Sequence, residues 1–169
     1  VRDALASDEP RVIDYAINHR SDFMDIYLVA NCRFFLCSSS GLMGLANTFR
    51  VPLAYVDVVP LEYTPPGARD LFIPKKLWLR EALSWGAGRF LRSDQFQALG
   101  VELVENTPEE VCALAVEMEE RLRGTWQSGE EDEKLQGRYW ALFNPTHVCY
   151  GIPSRIGAEF LRQNRELLE

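Results

Sequence analysis

Residues that bind soft metals or exchange disulfides are scarce in this chain. It has two histidines, His19 and His147, and four cysteines, none of them in a C-x-x-C pair. The ligand sets of a zinc site are therefore missing. Cys32, Cys37 and Cys112 lie in apolar stretches, where a free cysteine acts as a small hydrophobe. The chain reads as reduced and cytoplasmic. Basic charge is also in deficit: 18 Lys and Arg against 25 Asp and Glu give a formal net charge of -7. Duplex nucleic acid is held mainly by cations on phosphates, so nucleic acid is not an expected partner, and the acidic balance reads as solubility. No apolar run approaches the ~20 residues of a membrane span, and no signal peptide opens the chain. The phosphate-binding G-x-x-x-x-G-K-[ST] loop and the G-x-G-x-x-G dinucleotide fingerprint are both absent. A G-x-S-x-G nucleophile elbow is absent as well, because Cys37 and Ser38 precede the serine where a glycine is needed.

What remains is an ordinary globular composition, 47% apolar and 25% charged over 169 residues, enough for one domain with its own core. The first residue is Val1, and little room precedes Asp14 for a first element; both suggest that residues upstream are missing. Arg11–Tyr15 (RVIDY) has the makeup of a short buried strand. Phe23, Ile26, Tyr27 and Ala30 fall at helical spacing, with Ser21 or Asp22 as cap. Arg33–Cys37 is short, aromatic and apolar, as a buried parallel strand would be. Ser38-Ser39-Ser40-Gly41 interrupts it. Leu42, Leu45, Ala46 and Phe49 then recur at helical spacing, Val51-Pro52 ends that helix, and Leu53–Val58 is the next strand. Together these form a βαβ unit, expected to be right-handed.

Residues Pro60–Pro74 make a long proline-rich loop with a short strand at Leu71–Ile73, and a helix is expected near Leu79–Trp85, with another turn starting at Ser93 or Asp94. Val101–Val104 reads as a strand near the sheet edge. Thr107, Pro108 and Glu110 spell an N-cap, a first helical residue and a capping box, followed by an apolar stripe of Val111, Leu114, Ala115, Met118 and Leu122 and a stop at Gly124. The acidic run Gly129–Glu133 suits the start of a solvated helix with Leu135, Tyr139 and Leu142 inward. A last helix is expected over roughly Arg155–Leu168. The expected fold is α/β and Rossmann-like, a mainly parallel sheet with helices on both faces.

The chemistry is concentrated where the Arg33–Cys37 strand runs into Ser38-Ser39-Ser40-Gly41 and opens a helix. Backbone N–H groups at a helix N-terminus bind anions, Gly41 lets a ligand approach the backbone, and ligands of open α/β sheets sit at the C-terminal ends of strands. Serines also cap helices for purely structural reasons, and both readings stay open. A serine hydrolase using His147 with Asp57 or Asp70 is a further alternative.

The stretch Cys32–Asp57 resembles the donor-binding motif of GT-B glycosyltransferases of the heptosyltransferase-like kind. Ser40-Gly41, Leu42-Met43, Leu45-Ala46 and Val51-Pro52 follow that order, and Arg50 stands where a glycine is common. Further along, Ser21–Asp25, Phe34–Gly41, Asp70–Lys75, Asn106–Glu110 and the tail Ser154-Arg155-Ile156-Gly157 with Phe160-Leu161 are similar to the C-terminal halves of a bacterial glycosyltransferase family. The resemblance implies the C-terminal domain of a two-domain enzyme, transferring a sugar from a nucleotide-sugar to an acceptor in surface polysaccharide synthesis. It implies that Ser38, Ser39, Ser40 and Gly41 cradle the donor diphosphate, and that Lys75 neutralises phosphate charge without a bound metal or cofactor. The acceptor and the catalytic base would belong to a missing N-terminal domain, toward which the last helix would pack, so this chain alone would bind a donor weakly and turn over nothing. Asp22, Asp70 and Arg155 are candidate sugar or nucleotide contacts and His19 a candidate base. Each has a plainer reading: capping for Asp22, an ion pair with Arg69 for Asp70, a surface role for Arg155. Without catalysis, the same turn would serve a nucleotide- or anion-binding module.

Overall fold

The computed structural model describes residues 4–79, 82–84, 100–143 and 145–168. It is an α/β fold built on a four-stranded parallel sheet. The strands are β1 (Phe35–Cys37), β2 (Leu53–Val58), β3 (Leu71–Pro74) and β7 (Arg155–Ile156), in that spatial order. Before β1 come a one-turn helix α1 (Tyr15–Asn18) and α2 (Asp22–Asn31), and α3 (Gly41–Thr48) crosses from β1 to β2. A second, antiparallel sheet joins β4 (Lys76–Leu79) to β5 (Ala82–Ser84) on one side and β6 (Val101–Val104) on the other. Helices α4 (Pro108–Arg123), α5 (Glu130–Ala141) and α6 (Ala158–Gln163) complete the described chain.

Strand β2 is the spine. Leu53, Ala54, Tyr55, Val56 and Val58 are all buried, as are the four residues of β3. Strands covered on both faces read as continuous apolar runs rather than alternating ones. Phe72 meets Tyr139 and Trp140 of α5, ring centroids 6.0 and 6.1 Å away. Its neighbour Ile73 points to the opposite face, where α4 brings Leu114 against Gly157. Each large apolar side chain buried this way contributes roughly 1.5–3 kcal/mol. A smaller cluster of Val29, Ala46, Val51 and Leu53 fixes α2 and α3.

The capping box of α4 forms as its sequence dictates: Thr107 Oγ1 accepts from Glu110 N at 3.2 Å, and Glu110 Oε2 accepts from Thr107 N at 2.9 Å. Leu114 and Met118 are buried in its stripe, and Gly124 ends it at φ 74°. In the acidic run that opens α5, Asp132 is buried rather than solvated. It closes a capping bond with Gly129 N and takes two bonds of 2.7 Å from the Arg162 guanidinium of α6.

Four expectations need correction. Arg11–Tyr15 is not a buried strand: Val12 and Ile13 are exposed, no strand among the described residues pairs with them, and Tyr15 begins α1. Where a helix is expected near Leu79–Trp85, the described residues are extended instead: Leu79 ends β4 and pairs antiparallel with Ala82 at the start of β5; the rest of that stretch and the turn expected at Ser93 or Asp94 lie outside the described residues. The final helix is shorter than Arg155–Leu168. Arg155 and Ile156 pair with Leu71 and Phe72 as the fourth strand, Gly157 intervenes, and the helix runs only over Ala158–Gln163 before a 3-10 turn. A side chain at Gly157 would meet Leu114 at 3.0 Å and Ile73 at 3.1 Å, so the chain crosses the core there in a tight space that a larger residue could enter only by displacing those two side chains. Finally, Arg69 and Asp70 form no pair: Arg69 Nη2 donates to Arg50 O at 3.1 Å, while Asp70 binds backbone amides. Helix α6 packs on α4 and α5 of this same unit.

The end of α3 explains the departure at Arg50. Arg50 N donates to Asn47 O and Val51 N to Ala46 O, the paired bonds of a Schellman motif. The residue just after the cap, here Arg50 after Phe49, must be left-handed, and Arg50 has φ 58°. At the same place after α4 the chain uses Gly124. A left-handed non-glycine residue costs on the order of 1 kcal/mol. Arg50→Gly is therefore expected to raise the unfolding free energy by roughly 0.5–1 kcal/mol, net of glycine's extra chain entropy, measurable by urea denaturation.

The Asp132–Arg162 pair gives a pH dependence. The Arg162 guanidinium holds the Asp132 carboxyl below its ordinary value. The stability this group contributes is present above the unfolded carboxylate value of ~4 and is lost as pH falls through the lower folded value. Asp132→Asn is expected to flatten the acid limb of a stability-versus-pH curve, while Arg162→Ala costs about 2 kcal/mol at neutral pH by leaving a buried carboxylate short of donors.

Candidate functional site

Because all four strands of the main sheet are parallel, their C-terminal ends gather at one edge. The Ser38–Gly41 turn leaves β1 there, Asp57 stands near the end of β2 with the Val59–Pro60 peptide (which is cis) just beyond it, and Lys75 follows β3. Lys75 N donates to Val58 O, locking that corner.

The serine turn is open. Ser38, Ser39, Ser40 and Gly41 are exposed, and Gly41 is the first residue of α3. Ser40 holds the N-cap position in extended conformation, yet its side chain makes no capping bond. The first turn of α3 carries no acidic residue. Gly41 is not in the left-handed region, and a Cβ built on it meets nothing within 4 Å. Neither the turn nor the packing requires glycine, and the space where its side chain would stand is open.

Beneath the turn lies Tyr55. It is fully buried, and its hydroxyl has no well-aligned hydrogen bond. Burial pushes its pKa up; Ser39, the nearest polar side chain acting on it, works in the opposite direction. Cys37, at the end of β1, is pushed up to about 11 by burial first and by Asp70 second, so no thiolate stands beside the turn at neutral pH. The floor of the turn therefore offers a neutral hydroxyl and a neutral thiol, and no anion that would repel a phosphate.

Lys75 lies 3.2 Å from Glu105 and 4.0 Å from Asp57, with 16% of its side chain exposed. Asp57 is itself left-handed, at φ 56°. Its N–H donates to Asn106 Oδ1 at 2.7 Å, its Oδ1 accepts from Asn106 N at 2.8 Å, and Asn106 Nδ2 donates to Pro74 O. Strain of this kind, stabilised by a closed set of bonds, is characteristic of functional edges. Lys76 does not join the site: its ammonium pairs with buried Glu110 at 2.8 Å and lies over the Phe160 ring.

The other candidates are dispersed. Asp70 and Arg155 sit at the opposite edge, at the starts of β3 and β7. Asp70 accepts from Leu53 N and Gly67 N; Arg155 reaches Glu133 at 2.6 Å. Asp22 is exposed in the first turn of α2, whose cap is Ser21, and His19 is exposed at the end of α1. The groups named for a triad are otherwise engaged. His147 Nδ1 accepts from Cys149 N, its ring stands edge-on to Phe143, and the Asp57 and Asp70 carboxylates accept from main-chain amides. Among the described residues no group of three or more His, Cys, Asp and Glu could hold a metal ion, and no helix is long and apolar enough to cross a membrane.

Sequence reasoning finds the turn but not Tyr55, Asp57 or Asn106 as parts of the edge. Tyr55 sits in an apolar run and reads as core, and Asn106 reads as the approach to a helix cap. Asp57 carries no local signal, because aspartate at a strand end is common. No protein family, curated protein or solved structure matches the chain.

Two substitutions separate a ligand cradle from a helix cap. Ser40→Ala is expected to cost under about 0.5 kcal/mol, since no capping bond is lost; a working serine cap costs ~1 kcal/mol. Gly41→Ala is expected to leave stability unchanged or raised, by the better helix propensity of alanine, while weakening any anion bound at the turn. Denaturation midpoints of the two variants check both statements.

Proposed function

We propose that this chain is the donor-binding domain of a nucleotide-sugar-dependent glycosyltransferase, with the donor diphosphate held at the Ser38–Gly41 turn. The observation that carries the reading is the open turn at the start of α3: exposed serines, one of them at the cap position without capping, open space where a side chain of Gly41 would stand, and no acid in the first helical turn. The α3 dipole favours negative charge at this point. As the sugar–phosphate bond breaks, charge builds on the departing diphosphate, and pre-oriented N–H and O–H groups stabilise it. Lys75 would add a cation by exchanging exposed Glu105 for a phosphate oxygen. The reading needs no metal ion. Asp22 and His19 would contribute only if the acceptor side of the cleft closes over the N-terminal helices, and the catalytic base and acceptor site would come from a second domain. A cytoplasmic role in bacterial surface polysaccharide synthesis rests on the resemblance alone.

One observation favours a second reading, a nucleotide- or anion-binding module without catalysis: Lys75 is already matched by two carboxylates. A serine hydrolase is the third reading, and labelling of Ser39 or Ser40 by a fluorophosphonate would support it at the expense of the others.

The test is a thermal-shift screen against UDP, GDP, CDP and ADP and their sugars. A ligand that binds only the folded state stabilises it by RT ln(1 + [L]/Kd), about 2.7 kcal/mol at a hundredfold excess over Kd. The expected result is stabilisation by one nucleotide family, reduced in Gly41→Ala and Ser40→Ala. An identical response in those variants and the native chain would place the nucleotide elsewhere.

A further inference from the structure

The opposite edge of the main sheet, at the N-terminal ends of β2 and β3, carries a cavity of about 450 Å³. It lies between the end of α3 and the Pro66–Asp70 turn, with Asn47, Arg50 and Arg69 around it. A smaller one of about 170 Å³ continues past Arg69 to Arg121 and Arg155. Arg69 and Asp70 line both.

The charge at this edge is unusual for so acidic a chain. Among the described residues, every other arginine and lysine except Arg138 has a carboxylate within 4.0 Å, whereas Arg50 and Arg69 have none. With 25 acidic residues available, two unneutralised guanidiniums on one cavity mark a place where negative charge is kept away. The carboxylate that does line the cavity, Asp70, is buried and turned inward, with its two oxygens accepting from Leu53 N at 3.0 Å and Gly67 N at 2.8 Å. In the smaller cavity Arg155 Nε is buried without a hydrogen bond, and Arg121 Nη2 lies 2.8 Å from Glu117 Oε1 without hydrogen-bond alignment. Each of those two guanidiniums is steadied by a carboxylate, Arg121 through Nε by Glu117 and Arg155 through Nη2 by Glu133.

Arg50 is the decisive residue. Its backbone is left-handed at φ 58°, where glycine would be unstrained, and its side chain makes no ion pair. Complementing the C-terminal end of α3 would account for one cation there, and Arg69 already fills that role by donating to Arg50 O. An unpaired, strained arginine is explained if its side chain acts on something outside the chain. A planar carboxylate takes one guanidinium fork, whereas a tetrahedral phosphate accepts forks from several directions. The geometry points to a phosphate-binding pocket at the N-terminal ends of β2 and β3, in which Arg50 and Arg69 hold the phosphate of a small phosphorylated ligand or free phosphate, with Arg121 and Arg155 behind. The pocket is separate from the serine turn, at the other end of the same strands, and does not depend on the glycosyltransferase reading.

The test titrates the full chain with inorganic phosphate and with glycerol 3-phosphate. Ionic strength is held constant with sodium chloride, malonate serves as the carboxylate control, and the thermal midpoint is read. Variants are Arg50→Gly, expected to fold at least as well as the native chain, Arg69→Gln, and Ser40→Ala at the opposite edge. The expected result is stabilisation by phosphate, with affinity roughly tenfold weaker in each arginine variant, as loss of one charge-assisted contact gives, and unchanged in Ser40→Ala. Tighter binding of the ester than of inorganic phosphate identifies a ligand with an organic body in the larger cavity; equal binding identifies free phosphate. The proposal is overturned by no response beyond the chloride control, by an equal response to malonate, or by full phosphate affinity in Arg50→Gly and Arg69→Gln. A nucleotide response that survives both arginine variants and falls in Ser40→Ala would bear on the serine turn alone.

Discussion

The buried carboxylate of Asp70 fixes the frame on which the parallel sheet is assembled. One oxygen accepts from the first amide of β2 and the other from Gly67 N in the turn before β3. Charge-assisted bonds of this kind contribute about 1.5–3 kcal/mol each, and they tie the start of β2 to the turn that leads into β3. Gly67 is obligatory here, because a Cβ on it would lie 2.4 Å from Asp70 Oδ2. The Asp70 carbonyl then accepts from Arg155 N and so places the fourth strand. A single residue thus aligns three strands, and the turn it orders is the one that presents Arg69.

Much of the architecture was legible in the sequence where local and global signals agreed. The α4 cap, its stripe and its glycine stop are written in consecutive residues, and β1, α3 and β2 announce themselves by a change of period around four small polar residues. The errors fall where the deciding contacts are remote. Val12 and Ile13 are apolar but find no partner strand. The β4–β5 hairpin hides in a run that suits a helix equally well, since its identity depends on pairing with β6, more than twenty residues further on. Strand β7 has two residues, too few to carry a period, and the helix begins later than expected because Arg155 and Ile156 are taken up by pairing with Leu71 and Phe72.

The site divides in the same way. The serine turn was readable because it depends on adjacent residues. Its floor was not: Tyr55 is a polar group in an apolar strand, and nothing local distinguishes a tyrosine whose hydroxyl is satisfied from one whose hydroxyl is not. The grouping of candidates also depended on strand direction. Lys75 and Asp70 are five positions apart in sequence, yet β3 carries them to opposite edges of the sheet. Arg50 shows the converse. Its departure from glycine was visible in the sequence, but its meaning required the backbone angle and the absence of a neighbouring carboxylate.

Asn106 joins the ends of two parallel strands to the segment that follows the antiparallel sheet, beside the Lys75 contacts to Asp57 and Glu105. Its side chain and amide bind Asp57 at the end of β2 and Pro74 at the end of β3, while its own position closes the strand that pairs with β4. These bonds tie the smaller sheet to the ends of the parallel strands, so its amides are expected to share in the hydrogen-exchange protection of the core rather than exchange as a separate unit.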